Sequence, residues 1–377
     1  MNLQTPKTYF DNLDALRFIS FFFIFFGHSL DTYSLTVKAS SWYIFFYNYT
    51  VIAGKTGFSF AFVLSSYINT WVILEEWKLG GRFNPLKYYI RRALRIWPLY
   101  FLVLFMGFVI FPALKDLLHE PYYENANPLY FIFFWGNFYL IQHGFTYLPV
   151  ISVLWSVSVE EQFYIAWPFL LIVFRNRVKW LIGLLFLVFI ITVLVRFGHT
   201  NLFFHTLFLL ADIATGALFA FISFYKRTGF NELINLKRSG ITFIYMLFII
   251  CLVFYHPIFD NHFLPAIINI IIEKLTFALF LGFFIFEQNF CIHSFYKFGR
   301  IKWLGFLGSI SYGLFCFHEI GILIGNRALS ILALDNAVFG LLIIKPLVAL
   351  IIIIPMAYIS WVYFEMRFLR LKKYFYS

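Results

Sequence analysis

Apolar runs long enough to cross a bilayer recur ten times along the 377 residues. They fall near 16–34, 51–73, 96–112, 150–174, 178–196, 203–224, 239–256, 264–286, 304–327 and 338–363. A helix needs about 20 residues, range roughly 17–25, to span the hydrocarbon core. The stretch 128–142, PLYFIFFWGNFYLIQ, is apolar but short, and predicts an interfacial or re-entrant segment. The pattern therefore predicts an all-α integral membrane protein of about ten transmembrane helices. Polar interruptions of that pattern are the next signal. Arg17 and His28 bracket FISFFFIFFG in the first run. Eleven helical steps make about three turns, so the two side chains point the same way, ~16 Å apart along the axis. Asp14 lies one turn before Arg17, and Asp31 nearly one turn after His28. Such a stripe on an apolar helix faces a protein interior or a water-filled cavity. Snorkelling to the interface accounts for Arg17 taken alone. It does not account for His28 in mid-span.

Composition agrees with the pattern. The chain is 62% hydrophobic and 12% charged, with mean hydropathy +0.82, more apolar surface than a soluble domain can hide. Cys251, Cys291 and Cys316 are widely spaced and predict neither a disulfide framework nor a metal or redox motif. The first run lacks a small-residue cleavage site and reads as a retained span. The net charge of +11 raises nucleic acid as a partner, but the placement of the charges removes it. With the N-terminus in the cytoplasm, only Lys38, Lys55, Lys115, Arg196 and Arg327 of the 29 Lys and Arg fall outside. Lys274 and Lys345 lie within spans, and the rest, Lys7, Arg82, Lys226 and Arg227 among them, fall inside. That bias predicts both termini cytoplasmic. No repeat or linker divides the chain, and residues 1–377 read as a single transmembrane domain with no fused soluble domain. The outer segment 113–150, rich in Tyr, Phe, Trp, Asn and Pro, reads equally as an aromatic interface belt or as a stacking platform for a sugar-like ligand.

Three groups of residues are candidates for chemistry. Before the third run, YYIRRALRIWPLY puts Arg92 and Arg95 at i,i+3, with Arg91 and Arg95 at i,i+4. Positive-inside anchoring needs the charge but not the spacing. A phosphate clamp uses both, since guanidinium forks bind phosphate oxygens bidentately and stay charged. The fourth run opens LWSVSVEEQFYIAWP, where Ser156, Glu160 and Tyr164 follow at i,i+4 and share a face. Glu160 is favoured over Glu161 because it completes that stripe. By helix rise, His28 lies ~18 Å from the inner end of its span, Asp212 ~14 Å from the outer end and His318 ~21 Å from the inner end. His28, Glu160, Asp212 and His318 thus share a band from mid-membrane to the outer leaflet, which suggests one buried polar site. No HxxxH or ExxH pair accompanies them, so metal is the minor reading and none is assigned. Gly57, Gly80, Gly81 and Gly308 read as close helix packing or turns.

Taken in order, these strings resemble the acyltransferase family 3 of integral-membrane O-acyltransferases. The resemblance runs from LDALRFISFFFIFFGHS through GFSFAFVLSSYI, IRRALRIWPLY and LWSVSVEEQFYIAWP to ADIATGALFA, LGSISYGLFCFHE and FEMRFLRL. It covers nearly the whole chain. Two departures stand out: Ser65-Ser66 where the family usually has Ser-Gly, and Arg367 where it usually has proline. A fused extracytoplasmic hydrolase-like domain, frequent in the family, is not expected here. The resemblance implies that His28 is the essential histidine, with Arg17 as its same-helix partner. It further implies that Arg92 and Arg95 engage the acyl donor and that Glu160 is the acid of the fourth-span motif. Tyr164, Asp212 and His318 match positions to which the resemblance gives no role.

Both lines of reasoning lead to one expected mechanism. Cytoplasmic acyl-coenzyme A, with acetyl-coenzyme A the expected form, would be a co-substrate, and no cofactor would be permanently bound. Its pantetheine arm is of the order of the ~16 Å from Arg17 to His28. His28 would act as general base on an acceptor hydroxyl, and Glu160 would orient the imidazole or stabilise imidazolium. Direct attack and an acyl-histidine intermediate are both open. The expected acceptor is a cell-surface polysaccharide or lipid-linked glycan, and the expected partners are membrane lipids and glycan-assembly proteins. The expected place is a bacterial inner or plasma membrane. Two alternatives are a multi-span transporter or flippase of glycans and a glycan polymerase. The first gives no reason for an arginine pair in front of a lone histidine, and the second would be expected to show larger outer loops.

Overall fold

The first apolar run and the second become two helices of very different length. α1 (Asp11–Ser29) has 19 residues, and its first turn carries Asp14, whose charge suits a helix N-terminus. α2 (Ser41–Gly80) has 40 residues. At 1.5 Å per residue it is ~60 Å long, about twice the hydrocarbon thickness. The computed structural model describes residues 10–375 apart from 33, 81–82, 120–121, 123–125, 176, 197–201, 226–229 and 260–263. Lys7, Arg82, Lys226, Arg227 and Gly81, used above for topology and packing, lie outside the described residues.

The remaining long elements follow the apolar runs. They are α3 (Pro85–Leu117), α4 (Trp155–Val173), α5 (Val178–Arg196), α6 (Leu210–Tyr225), α7 (Arg238–Val253), α8 (Ala266–Phe290), α9 (Ser311–Ile331) and α10 (Gly340–Phe375). No strand occurs among the described residues, so the fold is all-α as expected. Six helices, α2, α3, α5, α8, α9 and α10, are long and apolar enough to cross a membrane. α6 and α7 are apolar but have 16 residues each. α1 and α4 have 19 each but carry Asp11, Asp14 and Arg17, or Glu160 and Glu161, in place of apolar surface. α3 starts where Asn84 accepts a hydrogen bond from the Lys87 amide at 3.1 Å and Pro85 takes the first helical position.

Segment 128–142 is two short helices, Pro128–Ile132 and Gly136–His143, rather than a span. The break is Phe134 at φ 56°, a left-handed conformation that ends a helix. It is held in place because the Gln162 amide donates to the Phe134 carbonyl at 2.8 Å and the Tyr100 hydroxyl donates to Phe131 at 2.7 Å.

α2 is the spine on which the site is built. α1 packs along one side of it and α6 along another, while α9 packs on α10 and on α1. The α1–α2 seam is backbone against backbone. A Cβ at Gly27 would lie 2.6 Å from the Gly54 Cα, and one at Gly57 would lie 2.7 Å from the Ile24 amide nitrogen. The Ser20 hydroxyl donates to the Gly57 carbonyl at 2.9 Å across this seam. Small residues and such bonds are how helices associate where lipid is as apolar as leucine. The Ser65-Ser66 departure has a physical account at the α2–α6 contact. Ser66 donates to the Ile213 carbonyl at 2.6 Å, and the close approach is supplied from α6 by Gly216, whose Cβ would lie 2.9 Å from that of Ser66.

Candidate active site

α1, α9 and α3 bring two polar centres to the spine. The first is built on His28 near the end of α1. Its Nδ1 lies 2.7 Å from a Glu319 carboxylate oxygen and 3.0 Å from the His318 Nε2, both on α9. An ionised carboxylate only accepts, so the hydrogen on His28 sits on Nδ1 and points at Glu319. The His318 Nδ1 lies 2.5 Å from the Phe315 carbonyl, which also only accepts. His318 therefore presents the Nε2 lone pair to the same Nδ1 hydrogen. A neutral His28 so bonded has its unprotonated nitrogen at Nε2, the tautomer of a general base backed by a carboxylate. Glu319 and His318 are buried, while the His28 side chain is 28% exposed.

That exposure opens onto a cavity of about 190 Å³ lined by His28, Lys55, Phe58, Phe145, Trp155, Phe203 and Phe204. The rings form a continuous aromatic wall: Phe58 lies 5.1 Å from Trp155, and Trp155 lies 5.4 Å from Phe203 and 4.9 Å from Phe204.

The second centre is a cavity of about 160 Å³ lined by Arg17, Ser65, Arg92, Arg95, Ser156, Glu160 and Tyr164 among others. Here the spacing arguments hold: the i,i+4 stripe of α4 and the i,i+3 pair of α3 face one space. The Tyr164 hydroxyl lies 2.6 Å from the Ser65 hydroxyl and donates to Glu160 at 3.2 Å. Arg92 lies over the Tyr164 and Tyr88 rings at 5.1 and 5.6 Å. Arg17 pairs with Asp14 one turn away. Arg17, Ile68, Arg95 and Tyr312 also line a larger cavity of about 790 Å³, so the two spaces adjoin. At its other end the narrow cavity meets Phe58, whose ring also lines the His28 cavity and lies 6.0 Å from the His28 ring.

Four sequence expectations are corrected. The carboxylate on His28 is Glu319, not Glu160, which is bonded to Tyr164 in the arginine-lined cavity. Arg91 lines neither cavity; it is buried, pairs with Glu76 of α2 and donates to the Phe375 carbonyl at 2.7 Å. Adjacent residues on a helix differ by about 100° in azimuth, which separates Arg91 from Arg92. Asp212 is in neither centre: Lys274 of α8 donates to it at 2.5 Å and to the Ser59 hydroxyl at 2.8 Å. A shared depth fixes height along the membrane normal but not the side of a helix. Finally, a group able to hold a metal does exist, although no local sequence pair announces it. The donor atoms of His28, His318 and Glu319 lie within 4.8 Å of one another. Ligands at ~2.0–2.1 Å around a tetrahedral ion stand about 3.3 Å apart. The 2.7 and 3.0 Å contacts are shorter, and match direct hydrogen bonds. Glu319 and Phe58 were not assigned from sequence. A second polar residue beside His318 on an apolar helix was the available signal for the former.

Comparison with known proteins places the chain in a family. Residues 10–365 match the family model described as an acyltransferase domain, Acyl_transf_3. Over 134 residues the chain is 28% identical to Peptidoglycan O-acetyltransferase OatA of Listeria monocytogenes, covering 33% of this chain and 21% of that protein. Over 320 residues it is 24% identical to the "Putative peptidoglycan O-acetyltransferase YrhL" of Bacillus subtilis, covering 79% of this chain and 48% of that protein. The chain thus spans half or less of the length of these relatives. No solved structure matches it significantly. With a match over nearly all its length, and with the family's arginine and histidine strings lining adjoining cavities, the chain belongs to the Acyl_transf_3 family of acyltransferase domains.

Proposed function

We propose that this chain transfers an acetyl group from cytoplasmic acetyl-coenzyme A to a hydroxyl of a carbohydrate acceptor across a bacterial cell membrane. The observation that carries the reading is His28, with a Glu319 carboxylate oxygen 2.7 Å from its Nδ1, on an aromatic cavity that shares Phe58 with the arginine-lined one. The names of the two relatives make peptidoglycan-type glycans the first acceptors to test. In this reading residues 1–377 are one transmembrane domain with ten crossings and both termini cytoplasmic, as the distribution of Lys and Arg supports.

The chemistry follows from the placement of groups. Arg17, Arg92 and Arg95 hold the donor's phosphates from the cytoplasmic side by charge-assisted bonds. The pantetheine arm runs through the narrow cavity toward Phe58, and the acceptor sugar stacks on the aromatic wall beyond it. His28 Nε2 takes the acceptor's hydroxyl proton as the oxygen attacks the thioester carbonyl. Glu319 stabilises the imidazolium that results, and the departing thiolate of coenzyme A takes the proton back. Glu160 and Tyr164 line the path of the pantetheine arm.

The test is release of coenzyme A by the purified chain given acetyl-coenzyme A with peptidoglycan fragments, neutral oligosaccharides or no acceptor. Acceptor-dependent release with O-acetylated product is expected. Tight glycan binding with no release would overturn the reading and favour a transporter.

A further inference from the structure

Arg91 makes two contacts for which the donor site as drawn has no use. Its guanidinium pairs with Glu76 and donates to the Phe375 carbonyl, and the residue is buried away from both donor cavities. The chain it fastens is the turn of helix Met366–Leu371 and the tighter turn Lys372–Phe375, both packed on α3. Held there, this arm places Arg370, Lys372 and Lys373 on the wall of the 790 Å³ cavity that Arg17 and Arg95 also line. Arg370 and Lys373 are exposed, and neither forms an ion pair among the described residues. A positive-inside bias asks only for charge on the cytoplasmic side. It does not ask for a buried arginine that anchors the backbone so that three cations line one cavity. In that pair Arg91 is buried and Glu76 half-buried.

The two basic groups of this cavity occupy different stations on the route to His28. Arg17 and Arg95 line the large and the narrow cavity alike, so they mark the passage between them. A donor's acyl end must go through that passage, which leaves the pyrophosphate next to the pantetheine arm beside Arg17 and Arg95. The ribose 3′-phosphate remains in the large cavity. It is a monoester with about −1.5 to −2 charges at neutral pH, a stronger anion than either pyrophosphate ester. We propose that residues 366–375 form an arm that reads this 3′-phosphate, with Arg370 and Lys373 as its contacts and Arg91 as a positioning residue. The inference rests on the donor assignment made above and names a subsite within it.

Binding of coenzyme A and of 3′-dephospho-coenzyme A to the purified full chain tests it. The wild type is expected to prefer coenzyme A by roughly tenfold or more, the size of a charge-assisted phosphate contact. Arg370→Ala combined with Lys373→Ala should erase that preference while leaving dephospho-coenzyme A affinity unchanged, which also reports an intact fold. Arg91→Met, outside the cavity, should reduce the preference in the same selective way. Arg95→Ala should instead weaken both nucleotides together. A double variant that keeps the wild-type preference, or a wild type that binds both nucleotides equally, overturns the arm. A wild type that binds neither overturns the donor assignment, and the arm with it.

Discussion

His28, His318 and Glu319 form one buried polar cluster, and Asp212, Lys274 and Ser59 form another in the same helix bundle. Each has a carboxylate and bonds across two or more helices. In the second, ammonium and carboxylate cancel at 2.5 Å, and the ammonium also lies 5.2 Å from the centre of the Phe208 ring. Its bonds tie α2, α6 and α8 together. In the first, a Glu319 oxygen and the His318 Nε2 both meet the His28 Nδ1, and the imidazole, when neutral, keeps its Nε2 lone pair on a residue that lines a cavity. A cluster that neutralises itself specifies packing, whereas one that keeps an unused base can do chemistry. Depth in the membrane is no guide to which is which.

The largest effect is expected at the first cluster. His28→Ala should lower transfer by at least the ~10²–10⁴-fold of a general base, read as acceptor-dependent coenzyme A release, with thermal stability little changed. Glu319→Gln should follow with a loss of about 10²-fold, because a neutral amide no longer stabilises the imidazolium. Near-normal transfer in both would dissolve the contrast and move attention to His318.

At the second cluster the expectation reverses. Lys274→Met alone should cost ~3–5 kcal/mol of stability by leaving Asp212 buried and unpaired. Adding Asp212→Leu should restore most of it, and the double variant should transfer at close to the wild-type rate. A stable double variant without activity would bring Asp212 and Lys274 into the chemistry after all.

The smallest expected effect concerns neighbouring arginines. Arg92→Ala and Arg95→Ala should each weaken acetyl-coenzyme A binding roughly tenfold, with lysine restoring part of the loss because the planar fork is missing. Equilibrium binding to the purified chain checks this, and unchanged affinity in both would reduce the pair to a topology signal.

What could be read from the chain was whatever lies along one helix. The Ser156–Glu160–Tyr164 stripe lines one cavity, Arg17 and His28 lie on one helix but line two cavities, and segment 128–142 is two short helices; all of this is local. The ten apolar runs each contain a helix, and among the described residues six of those helices combine spanning length with high apolarity. Contacts between helices were hidden. His28 and Glu319 are 291 positions apart, and Asp212 and Lys274 are 62 apart. Nothing in helical periodicity chooses partners over such separations. The same holds for Arg91 and Arg92, adjacent in the chain, where only the packing decides which one faces the cavity and which one the neighbouring backbone.

The glycine seam between α1 and α2 has a mechanical consequence. With Gly27 of α1 seated against Gly54 and Gly57 of α2 seated against Ile24, sliding or separating the two helices would open a gap that no side chain fills. His28 and Phe58 ride on these two helices, one residue beyond Gly27 and Gly57. The base and the ring beside it therefore behave as a fixed jaw. Under the proposed function, the side of the cavity left to adapt to an acceptor is the opposing one, the start of α4 and the Phe203–Phe204 turn that line the same cavity. Efforts to alter acceptor preference have their freedom there, and a bulky replacement at Gly27 would jam the hinge-free side of the molecule.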